Sequence, residues 1–286
     1  MAKGRELLGR IKSTENTRKI TRTLEMVATS KMKRAIDRVI AARPYASALS
    51  DVISRLYSPE NAGAFPLLRQ PEIEKRAAVI LLTANRGLAG AFNSNLIKEA
   101  RQLVARLDAA GTQVDLHVMG RKGIGYFKYI GRTMLVQRTD IGDKPTADDA
   151  ASLVDGPMAA FAAGEVDAVY VVHSQFKSPV SSPAVTVRVL PVPPPAAGTA
   201  QKDYLLFPSA ADILTTLLPA YVRNALYRAL VETFAGFYST QRTAMKNATD
   251  NAGEMITGLR RTYNRARQAS ITQEIAEIVG GAAALE

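Results

Sequence analysis

The chain of 286 residues contains no cysteine, no tryptophan and only two histidines. Without cysteine there is no disulfide framework, no thiolate metal site and no thiol switch. His117 and His173 stand in separate strand-like runs, with no other ligand type at metal spacing. Each reads as a core or strand-end residue. His173 precedes Ser174, half of a nucleophile pair, but no third group can be assigned to orient it. No apolar run approaches the roughly 18 residues that a membrane span needs. Lys3, Arg5 and Arg10 open the chain, and no apolar stretch follows, which argues against a secretory signal. Glu6 and Glu15 argue against an organelle leader.

What is present is positive charge, unevenly spread. The formal charge is +11, and residues 1–56 hold thirteen Lys and Arg against five Asp and Glu. The remaining 230 residues are nearly balanced, so the excess belongs to the N-terminal segment. Such a segment suits an acidic partner: nucleic acid, anionic lipid or an acidic protein surface.

Three textures follow one another. Residues 1–56 read as one long helix, with Ile20, Leu24, Val27, Ala28, Met32, Ala35, Ile36 and Val39 at three- and four-residue spacing. Lys12 to Lys19 is polar on every face, and Pro44 predicts a kink or a break. Residues 209–286 read as a second long helix, with Ser209 as candidate N-cap. Leu226, Leu230, Phe234, Met255, Leu259, Tyr263 and Ala266 mark one face, which Ile275, Ile278, Val279 and Ala282 continue. Neither helix is stable alone at such a length, so the two ends are expected to pair as an antiparallel coiled coil.

Residues 57–208 differ. Strand-like runs at Ala77–Ala84, Val114–Met119 and Ala168–His173 alternate with helical patterns at Ser94–Ala110, Lys122–Ile130 and Ala147–Ala163. That alternation predicts a Rossmann-like α/β domain on a parallel sheet. Val180–Leu190 is a further strand or hairpin, and Pro191–Gly198 a proline-rich connection. The fold class is therefore α/β: a coiled coil of the terminal helices plus a central Rossmann-like domain.

Two glycine turns stand where phosphate-binding loops sit, Arg86–Gly90 after the first strand and Gly120–Gly123 after the second. Neither matches G-x-G-x-x-G or G-x-x-x-x-G-K-[ST], and tight strand-to-helix turns explain both without a ligand. The tail Ile278–Leu285 is small, apolar and nearly uncharged. It reads equally as a helix tip buried in a partner or as a helix ended by Gly280-Gly281. No cofactor or metal site emerges. Two functions compete on these residues: a basic helical nucleic-acid binder and a Rossmann-like enzyme with helical extensions.

The stretch Ile20-Thr21-Arg22-Thr23-Leu24-Glu25-Met26-Val27-Ala28-Thr29-Ser30-Lys31-Met32 resembles the N-terminal signature of F-type ATP synthase gamma subunits. Arg265 to Ala282 resembles their C-terminal signature, Leu82 to Asn93 their first strand-turn-helix, and Asn247 to Ala252 matches as well. The likeness spans the chain and lacks the cysteine-bearing chloroplast insert, as in the bacterial type.

The resemblance implies the central rotor stalk of the F1 sector, non-catalytic itself. It would couple H⁺ or Na⁺ flow to ATP synthesis or hydrolysis by rotation. The coiled coil would thread a ring of alpha and beta subunits, and the α/β base would meet the epsilon subunit and the membrane c-ring. The complex would lie on the cytoplasmic side of the cell inner membrane, this chain peripheral, without a span or nucleic acid. By matched position, Arg267, Gln268 and Thr272 would contact a beta-subunit loop. Ile275, Ile278 and Val279 would belong to a tip in an apolar bearing, and Leu24 would lie near the acidic lever loop of beta. Asp203 and Tyr204 would lie near the c-ring and epsilon. The chain departs from the family at Asn85, where aspartate is usual, at Phe207, and at Phe237, Gln241 and Arg242.

Overall fold

A computed structural model describes the backbone of residues 2–56, 65–193 and 209–283. Helix α1 spans Ala2–Leu56 and helix α5 spans Ala210–Ala283. Between them come β1 (Arg76–Leu82), α2 (Phe92–Ala109), β2 (Gln113–Met119), α3 (Arg121–Tyr129), β3 (Val136–Arg138), α4 (Ala147–Ala162), β4 (Ala168–Ser174) and β5 (Ala184–Leu190). The chain divides into two compact units: residues 1–29 with 241–286, and residues 30–240.

In the larger unit the five strands run in the order β3-β2-β1-β4-β5. β1 pairs in parallel with β2 and β4, and β2 with β3. The parallel expectation fails at one edge, where β5 is antiparallel to β4. The open choice at Val180–Leu190 resolves as a hairpin return, closed by a bridge between Ser178 and Ser181. β1 is buried from Ala77 through Leu82, as a central strand covered on both faces must be. Residues 231–239 of α5 are buried on every side, which makes that stretch a core helix. Gly236 allows the approach: a Cβ there would stand 2.5 Å from Ser174 Oγ. Phe237 stacks edge-on against Phe92 at 5.6 Å, so its aromatic ring is accounted for by packing.

Pro44 neither ends nor interrupts α1. It lies on the exposed face, as does Ile40, whose carbonyl loses its helical donor. Buried Ala46, Leu49 and Ile53 hold the helix beyond it. At the start of α5, Ser209 Oγ accepts from Asp212 N at 3.2 Å, as an N-cap does.

In the smaller unit the two helices pair antiparallel, with Thr21 opposite Thr249 and Glu15 opposite Arg260. The face assigned from sequence needs correction. Ala28 is buried as read, but Ile20, Val27 and Met255 are exposed, while Leu7, Ile11, Ala252 and Ile256, outside the assigned face, are buried. The less exposed positions step by three, four or seven residues: 7, 11, 14, 21, 28 on α1 and 245, 249, 252, 256 on α5. That is a 3.5-residue repeat, the periodicity of a left-handed coiled coil. Its middle layers are small and polar, with Thr21 and Thr249 hydroxyls 2.8 Å apart.

Candidate functional site

Apart from Asp203 and Tyr204, the residues matched to partner contacts fall in the smaller unit. Those two, and Phe207, lie outside the described residues. Arg267, Gln268 and Thr272 are exposed on successive turns of α5, with Thr272 Oγ1 donating to Gln268 O at 3.0 Å. Every residue from 271 to 280 is exposed. Ile271, Ile275, Ile278 and Val279 recur at helical spacing along this stretch, with Ile278 72% exposed. Ile271 extends the apolar stripe by one turn beyond the residues picked from sequence, and its i−4 relation to Ile275 was the available signal.

Leu24 is half-buried and does not join this group. Its neighbour Thr21 faces Thr249, so about 20 residues of helix, roughly 30 Å, separate it from Gln268. The helix pair also carries a cationic groove of about 350 Å³, which Leu24 does not line; its walls are Arg18, Lys19, Arg22 and Arg260 with Glu15 and Gly253. Arg260 Nη2 bonds Glu15 at 2.6 Å. Arg18 lies over Gly253, where a Cβ would stand 3.6 Å from its Nε. Sequence reasoning registered the charge of this segment but not these positions, because the groove needs both helices.

The two glycine turns meet at the carboxyl ends of β1 and β2. The first-turn N–H groups of α3, the donors a phosphate would need, are occupied. Arg121 N donates to Asn85 Oδ1 at 3.0 Å, Lys122 N to Ala84 O at 3.3 Å and Gly123 N to Thr83 Oγ1 at 3.0 Å. Gly120 has φ +102°, and a Cβ there would stand 2.2 Å from Thr83 O. Gly120 and Gly123 serve the close packing of α3 on β1, which occupies the donors a phosphate would need at the second turn. His117 and His173 are buried in β2 and β4. Burial lowers the His117 pKa, against the pull of Asp115. Burial also lowers His173, to about 4. Among the described residues no group of acidic, His or Cys side chains could hold a metal ion, and no helix is long and apolar enough to cross a membrane.

A profile of the ATP synthase family matches residues 3–285. The ATP synthase gamma chain of Gemmatimonas aurantiaca is 65% identical over 289 aligned residues, covering 100% of both chains. The chain belongs to the ATP synthase gamma-chain family. It is thus a subunit of an ATP synthase complex, of the type without cysteine. Two solved structures share the gamma fold. A chain from the central stalk and c-ring of Tetrahymena thermophila mitochondrial ATP synthase aligns with TM-score 0.61 at 21% identity, over 80% of this chain and 99% of its own. A chain of the Euglena gracilis mitochondrial ATP synthase aligns with TM-score 0.67 at 16% identity, over 99% of this chain and 95% of its own.

Proposed function

We propose that this gamma chain is the central rotor stalk of an F-type ATP synthase and performs no catalysis itself. One observation carries the reading: residues 271–280 are an exposed helical extension bearing an apolar stripe. A contiguous apolar surface at a helix end suits insertion into an apolar sleeve, here the bearing formed by alpha and beta subunits. Arg267, Gln268 and Thr272, at the start of the stripe, are the contacts to a beta-subunit loop. The groove of Arg18, Lys19, Arg22 and Arg260 suits the acidic lever loop of beta, by charge complementarity, and Leu24 is a separate contact near that loop. Asp203 and Tyr204 belong to the c-ring and epsilon contact.

The mechanism is transmission. An asymmetric shaft touches each catalytic beta subunit differently at each angle, and differential contact biases that subunit among its conformations. The smaller unit supplies the differing faces: apolar at residues 271–279 and cationic at residues 18–22. Ion flow through the c-ring turns the shaft in synthesis, and hydrolysis turns it in reverse. This chain is peripheral, on the cytoplasmic side of the cell inner membrane. The test is co-expression with alpha and beta from the same source. A purified complex of three alpha, three beta and one copy of this chain, with ATPase activity that depends on it, is expected. A chain that elutes free of both would refute the reading.

A further inference from the structure

The loop between β3 and α4 reaches both long helices within the larger unit. In it, the Asp143 carboxylate accepts from Lys31 Nζ at 2.5 Å. The Asp143 backbone carbonyl accepts from Arg38 Nη1 at 3.2 Å. Lys31 and Arg38 are two turns apart on one face of α1. The Lys31 ammonium also lies 5.4 Å from the centroid of the Tyr238 ring, on α5. Burial would raise the Asp143 pKa, but Lys31, together with the Tyr238 hydroxyl and the charge of Arg86, outweighs it and leaves the carboxyl below its ordinary value. Tyr238 is buried, and its hydroxyl has no partner at hydrogen-bond geometry, although Asp143 is near enough to raise its pKa after burial has done so.

The loop is tied in turn to the sheet. Asn85, just beyond β1, donates from Nδ2 to Thr139 O at 2.9 Å and to Ile141 O at 3.3 Å. Its Oδ1 accepts from Arg121 N, and the Ile141 side chain is fully buried beside it. A polar path therefore runs from the central strand through Asn85 and the 139–143 loop to α1, and across Lys31 to α5. Its location is specific: α1 passes between units at Thr29–Ser30 and α5 at Thr240–Gln241. Lys31 and Tyr238 are each within one turn of those crossings.

We propose that Asp143 is a positioning residue for torque transfer, gripping both long helices to the sheet through a loop that Asn85 holds. This rests on the stalk reading. An aspartate at position 85 could accept from Arg121 but not donate to the two loop carbonyls, so this chain's asparagine is part of the grip.

The experiment uses the reconstituted complex with Asp143→Asn, Lys31→Gln and the exchanged pair Lys31→Asp with Asp143→Lys. ATP hydrolysis, ATP-driven ion pumping and native-state hydrogen exchange are measured on each. Both single variants are expected to keep hydrolysing ATP while pumping fewer ions per ATP. Exchange at residues 30–38 and 139–143 is expected to rise at least about tenfold, as loss of one charge-assisted hydrogen bond implies. The exchanged pair is expected to recover both readouts. Faster exchange with unchanged pumping per ATP would reduce Asp143 to a structural contact and overturn the proposal, as would unchanged exchange. A parent chain that never assembles would instead sink the stalk reading, and exchange on the free chain would still decide whether Asp143 holds the helices.

Discussion

Replacing Gly120 by alanine tests how closely α3 must approach β1. Gly120 has φ +102°, a region that costs an L-residue about 1–3 kcal/mol. The added methyl would stand 2.2 Å from Thr83 O and 2.5 Å from Thr83 Oγ1, so backbone must move. Thr83 is the hub of the turn: its N–H donates to Met119 O at 2.8 Å and its hydroxyl to the same oxygen at 2.8 Å. The same hydroxyl accepts from Gly123 N at 3.0 Å. Losing two of these buried bonds adds about 1–3 kcal/mol each. The total, roughly 3–9 kcal/mol, is a large share of the 5–15 kcal/mol that holds a typical domain. Gly111→Ala is the control, because Gly111 has φ +79° but no atom within 4 Å of the added methyl. It should cost only the backbone strain, about 1 kcal/mol. Urea denaturation read by amide exchange in β1 and β2 measures both. Equal losses in the two variants would mean that the Thr83 contact is not what requires glycine at position 120.

Asn85→Asp should destabilise the larger unit by about 1–2 kcal/mol, since two donated hydrogen bonds are lost and a charged one to Arg121 N is gained; an unchanged urea midpoint would contradict this. Burial holds His173 at about 4, below the free value near 6.5. The unfolded chain then binds the proton first, so stability is intact above about pH 6.5 and falls toward pH 4, by up to about 3 kcal/mol. Glu232, raised by burial, takes its proton earlier in the folded state and offsets part of that fall. Melting temperatures at pH 7.5 and 5 should therefore differ less in His173→Asn than in the parent, and equal differences would refute the assignment. Deleting residues 275–286 should weaken assembly and torque while leaving the urea midpoint of the larger unit unchanged; full coupling in the truncated chain would remove the tip from the account.

The sequence was most legible where one element decides its own structure. β1 and β4 announce themselves as short apolar runs because they are covered on both faces, β2 by its alternating character, and α2 to α4 by their period. β3 escaped notice because it is three residues long and half-buried, with too few positions to show alternation. The direction of β5 depends on a tight turn near Ser178–Ser181, which local composition leaves open. The coiled-coil face was misassigned because the seam is small and polar at Thr14, Thr21 and Thr249, while larger Ile20, Val27 and Met255 face outward. Hydrophobicity alone points to the wrong side there. The tip was visible in composition, since it is one helix end. The cationic groove and the Asp143 grip were not, because Arg260 meets Glu15 and Lys31 meets Asp143 across 245 and 112 residues of chain.

The most direct test of the stalk account is to watch the chain turn. The chain has no cysteine, and Tyr129, in the larger unit, is 88% exposed, so Tyr129→Cys supplies a single labelling site. With an alpha–beta complex fixed to a surface and a probe on that cysteine, ATP should drive unidirectional rotation of the probe in discrete steps. A complex that hydrolyses ATP at its full rate while the probe stays still, or merely fluctuates without direction, would contradict the account.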